Sequence, residues 1–166
     1  MGSQLMQKFN VFNCANSSFV NANEDFLDGV TGAGLAYTDV LSMENYESVM
    51  FIIVKNAGAT GTSTITVESC DTAVPATATA IAFHYKACTS GNTWGAVTAA
   101  TTAGFATTAG ADQCYLIEVN SSELSGTDSF VRMKATDLVN AACDGAILCI
   151  LGNPRYAKDV QLDATS

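Results

Sequence analysis

Charge is what this chain has least of, and positive charge least of all. Only 14% of its 166 residues are charged, with seven Lys or Arg against 16 Asp or Glu, for a net charge of −9. A phosphate backbone or an anionic membrane surface is held by clustered bases. Here the bases are scattered at Lys8, Lys55, Lys86, Arg132, Lys134, Arg155 and Lys158, so neither nucleic acid nor membrane is expected as a partner. Long apolar runs are also missing. The densest, Val49 to Val54 and Ala146 to Leu151, fall far short of the ~20 residues a spanning helix needs. Met1 to Asn10 has no apolar stretch of the signal-peptide kind, so synthesis in the cytoplasm is expected.

Catalytic and metal-binding signatures are absent too. There is one histidine, His84, and Cys88 follows four residues later. That separation spans about 13 Å along a strand, beyond the reach of a nucleophile and its base. The six cysteines, at 14, 70, 88, 114, 143 and 149, include no CxxC pair. They are too sparse for a disulfide scaffold and are expected to be free, mostly buried thiols. Asn21 to Asp25 starts like an EF-hand loop, but Phe26 and Gly32 stand where that loop needs Gly and Glu. Gly32-Ala-Gly34 lacks the third glycine of a dinucleotide fingerprint. The sequons at Asn16 and Asn120 are read as coincidental without a secretory signal. No enzyme, cofactor or metal site is expected.

What the chain does have is alternation. Mean hydropathy is +0.22 and hydrophobic residues make up 48%, enough for one domain with a substantial core and unlike a disordered chain. Ala (25) and Thr (19) dominate, and Thr favours strands. Period-two patterns run through Ile81–Lys86, Cys114–Val119 and Phe130–Ala135, while Thr64, Thr66 and Glu68 oppose Ile65 and Val67. Val49–Val54 and Ala146–Leu151 are apolar on both faces, as in a central strand covered on its second side by loops or by a neighbouring subunit. Turn residues punctuate the chain at Lys55–Gly58, Thr60–Gly61, Thr89–Asn92 and Ser125–Asp128. Helical turns are expected only at Asn120–Leu124 and Asp137–Ala142. The expected fold is therefore mainly β, an antiparallel β-sandwich of jelly-roll-like character. Residues 1–45 would form an N-terminal arm and first strand region, 46–158 the sandwich core and 159–166 a tail.

From Ala87 to Ala111 there is no charged residue, and Trp94 and Phe105 stand among Thr, Ala and Gly. Two readings stay open: a long flexible loop, or an ordered arm docking on a partner. On the second, Trp94 and Phe105 are the expected oligomer contacts.

Several C-terminal segments carry a family likeness. They are Thr101–Gln113 running into Cys114–Val119, then Phe130–Thr136, and Asp144–Ala157 with its closing Pro154-Arg-Tyr156. With the strands from Val49 and Thr62, they resemble the auxiliary proteins that decorate or cement the heads of tailed bacteriophages. The resemblance implies a structural virion protein made in the host bacterial cytoplasm. It would sit on the capsid exterior as a homotrimer, with the major capsid protein as partner. A terminal arm would supply the anchor, giving Phe9, Phe12 and Phe19 as expected capsid contacts. Another virion part, such as a head fibre or tail component, is the second reading, and a carbohydrate-binding sandwich is the third.

Overall fold

The computed structural model describes residues 9–13, 35–56, 60–139, 141 and 145–155. Among the described residues twelve strands run in chain order: β1 (Phe9–Asn13), β2 (Leu35–Tyr37), β3 (Leu41–Ser42), β4 (Tyr46–Lys55), β5 (Thr62–Cys70), β6 (Ala78–Ile81), β7 (Phe83–Cys88), β8 (Thr98–Ala100), β9 (Phe105–Ala106), β10 (Gln113–Asn120), β11 (Phe130–Val139) and β12 (Gly145–Pro154). They form two antiparallel sheets. The first has the order β1-β12-β4-β10-β7-β8; the second has β2-β11-β5-β6, with β3 also on β11 and β9 on β5. The chain is a mainly β protein built as a β-sandwich.

Alternation decides which side chains meet. In the first sheet Val49, Phe51 and Ile53 of β4, Tyr115, Ile117 and Val119 of β10, and Ile147, Cys149 and Leu151 of β12 are buried. They form one core with Ile65 and Val67 of β5 and Val131, Met133 and Ala135 of β11. Each large apolar side chain so buried contributes about 1.5–3 kcal/mol. Leu41 and Met43 belong to the same core, so the later part of 1–45 is built into the sandwich. β1 is paired along its length with β12, and Phe9 and Phe12 therefore sit on a sheet strand rather than on a free arm. Phe19 and the tail 159–166 lie outside the described residues.

Local expectations changed at two places. The pattern through Ile81–Lys86 reads as one strand, but the chain switches sheets at Ala82. Ile81 ends β6 on β5, and Phe83 opens β7 on β10 and β8. Both side chains are buried, which is why the alternation continues across the switch. Asp137–Val139, expected as a helical turn, instead prolongs β11. Asp137 pairs with Ser63 and Val139 with Thr62 across a register shift, a bulge that sheet pairing supplies and local composition does not show. The expected turn near Asn120 is a short 3-10 helix, Ser121–Glu123, in which the Glu123 carboxylate accepts from the Asn120 amide at 2.7 Å.

Candidate interaction face

The charge-free segment divides at about residue 98. Its second half is pinned. The Phe105 ring stacks on Tyr85 with centroids 4.0 Å apart and meets Phe83 edge-on at 6.2 Å. The Thr107 amide donates to the Ser63 carbonyl, and the Thr108 amide donates to the Tyr115 hydroxyl at 2.9 Å. Gly104 permits this approach. Its φ is +73°, and a Cβ there would collide with the Ile65 carbonyl. Phe105 is consequently a core residue, only 8% exposed, and not the surface aromatic that the expected oligomer contact calls for. The first half, 89–97, is exposed. Its Gly95 amide donates to the Ala87 carbonyl at 2.8 Å. Trp94 remains 40% exposed, with the Lys86 ammonium 5.1 Å above its ring.

The outer surface of the first sheet follows from its register. Antiparallel partners share a face. One row reads Leu148, Ile52, Leu116, Lys86 across β12, β4, β10 and β7. The row on one side of it reads Ile150, Met50, Glu118, His84; the row on the other reads Ala146, Val54, Cys114, Cys88. The face is thus apolar across β12 and β4, mixed on β10, where Glu118 follows Leu116, and polar at Lys86 and His84 of β7. Met50, Ile52, Leu116, Leu148 and Ile150 are only half-buried, and Val54 is 39% exposed. At the polar border lies an open cavity of about 320 Å³ lined by Met50, His84, Lys86, Val97, Leu116 and Glu118 among others.

The second sheet's outer face is different. Glu68 accepts from Arg132 Nε at 2.8 Å and Nη2 at 2.7 Å, and lies 3.5 Å from Lys134 Nζ. The Arg132 guanidinium also covers the Tyr37 ring at 4.1 Å. Thr64, Thr66 and Thr136 complete a polar strip.

Sequence reasoning missed one buried cation. Lys55 reads as the start of a turn, yet it is fully buried, and its ammonium donates to the Gly61 and Thr108 carbonyls, each at 2.9 Å. It ties the end of β4 to two loops. His84 Nδ1 lies 3.9 Å from Glu123 Oε1, a surface contact with no nucleophile attached. Among the described residues no group of three His, Cys, Asp or Glu could hold a metal ion, and no helix is long and apolar enough to cross a membrane. Cys70, Cys88 and Cys149 are buried, Cys114 is half-buried, and all four are free. Burial pushes the Cys70 thiol up to about 11, and the nearby carboxylates add to this against the opposing Arg132. Cys14 and Cys143 lie outside the described residues.

Comparison with protein-family models, with curated proteins and with solved structures gives no match to this chain.

Proposed function

We propose that this chain is a non-enzymatic structural protein of a tailed-bacteriophage virion. In this reading it self-associates as a homotrimer and decorates the capsid exterior by binding the major capsid protein. The observation that carries the reading is the outer face of the first sheet. Met50, Ile52, Leu116, Leu148 and Ile150 form an apolar surface that one sandwich core does not use. Contiguous apolar surface of this kind is the mark of a protein contact. The net charge of −9 supports solubility before assembly.

Trimerisation converts a modest contact into firm attachment. One copy need bury only about 800 Å² on the shell. Three linked copies on a local three-fold would gain roughly 10²–10⁴ in avidity without new contacts. Binding is therefore expected to be weak to isolated capsid subunits and strong to assembled heads. Immunogold electron microscopy of virions carrying the chain tests the location. Label over the head exterior is expected; label confined to the tail, or to particle-free protein, contradicts the reading.

A carbohydrate-binding sandwich is favoured only by the half-exposed Trp94, whose ring carries Lys86, a residue that also lines the open cavity. Tyr37, a second aromatic that is not fully buried, already lies under Arg132. Quenching of the single tryptophan's fluorescence by an oligosaccharide would favour that second reading.

A further inference from the structure

β7 and β10 pair antiparallel with Cys88 directly opposite Cys114. Both thiols fall on the outer face, since the flanking residues Ala87 and Tyr115 alternate toward the core. Directly opposed residues in an antiparallel ladder have Cα atoms about 4.5–5.5 Å apart. A disulfide spans about 4.4–6.8 Å between Cα atoms, so the backbone is already placed for the bond. The other described cysteines have no such partner. Cys70 lies opposite Phe130 and Ala78, and Cys149 opposite Phe51 and Phe12.

The two sulfurs are unequally accessible. Cys88 is 5% exposed, whereas Cys114 is half-buried. Burial pushes the Cys114 thiol up, and negative charge on Cys88 would push it further. A reducing cytoplasm therefore leaves the pair as two thiols. Cys88 and Cys114 also bracket residues 89–113, which hold β8, β9 and the exposed stretch around Trp94.

We propose that Cys88 and Cys114 are an oxidisable cross-strand pair. They form a disulfide by exchange with a low-molecular-weight disulfide once the protein leaves a reducing compartment, closing residues 89–113 into a covalent loop. Cys114, the more accessible, loses its proton and attacks one sulfur of the small disulfide, giving a mixed disulfide and one small thiolate. Cys88 then loses its proton and attacks the Cys114 sulfur, releasing the second small thiolate. The two protein thiols are oxidised, the small disulfide is reduced to two thiols, and the two protons pass to the leaving thiolates. The step needs the Cys114 sulfur open to a small molecule, so it requires the contact of the proposed reading, at Met50, Ile52, Leu116, Leu148 and Ile150, to leave the Cys88–Cys114 row uncovered.

The test is oxidation of the purified full chain with oxidised glutathione, followed by alkylation of remaining thiols in denaturant and non-reducing peptide mapping. Trypsin leaves both cysteines in one peptide, because no Lys or Arg lies between Lys86 and Arg132. Chymotrypsin, cutting after Trp94 and Phe105, separates them. The expected result is a bridged peptide pair holding Cys88 and Cys114, with Cys70 and Cys149 alkylated. Cys88→Ser should stop at glutathione attached to Cys114. If that variant does not fold, the map of the unmodified chain decides alone. Full alkylation of both cysteines after oxidation would overturn the proposal, as would a bridge from either to Cys14, Cys143 or another copy.

Discussion

The two outward faces of this sandwich are made by the same alternation and end in opposite chemistry. On the second sheet, Glu68 and Arg132 lie opposite each other, Lys134 lies opposite Thr66 with Thr64 and Thr136 next along, and the Arg132 guanidinium closes over Tyr37. On the first, Leu148, Ile52 and Leu116 form a row with Met50 and Ile150 beside it. The inner faces of the two sheets already satisfy each other through a single core. Folding therefore accounts for the buried half of each strand and for the polar strip. Among the described residues, packing gives no reason for apolar residues on the outer side of β4, β10 and β12. Water is the natural neighbour of the second sheet's outer face. On the proposed reading, another protein surface covers the first sheet's.

Substitutions sharpen this contrast, beginning with the core. Phe51→Ala empties a fully buried site and should cost about 3–5 kcal/mol in chemical denaturation. Measured at a concentration low enough to keep the chain monomeric, Ile52→Ser, one residue along, should cost no more than roughly 1 kcal/mol, because its side chain is only half-buried in the single chain. A loss as large at Ile52 as at Phe51 would mean that the outer face is core.

Lys55→Ala should come next in size, at about 2–4 kcal/mol, since it leaves the Gly61 and Thr108 carbonyls without their donor in a buried site. Glu68→Gln on the polar face should cost less, about 1–2 kcal/mol, because it removes the charge facing Arg132 and Lys134 while keeping the shape of the side chain. This loss should shrink when Arg132 is also replaced, in a double-mutant cycle of equilibrium unfolding. If the two losses simply add, the ion pair is not contributing.

Most of the fold was legible because alternation is local. Tyr115, Ile117 and Val119, like Val131, Met133 and Ala135, are buried as their period predicts. Two doubly apolar strands were also visible, and they are the centre of the candidate face. What escaped depends on register between distant segments. Phe105 sits among Thr, Ala and Gly with no period, and it reaches the core through a two-residue strand paired with β5. Lys55 looks solvated until two loops fold over it. The alignment of Cys88 with Cys114 is set by how β7 and β10 meet after the intervening β8 and β9 have been placed. The sheet switch at Ala82 was hidden because both sides of it point inward.

The central claim is that the first sheet's outer face is a contact between protein chains. Light scattering on the purified chain at micromolar concentration, beside the double variant Ile52→Ser/Leu148→Ser, tests it most directly. The account predicts the mass of three copies for the native chain. For the variant it predicts a monomer that remains folded, with an unchanged far-ultraviolet circular dichroism spectrum and cooperative thermal unfolding. A native chain that is monomeric, or a folded double variant that is still trimeric, would contradict it.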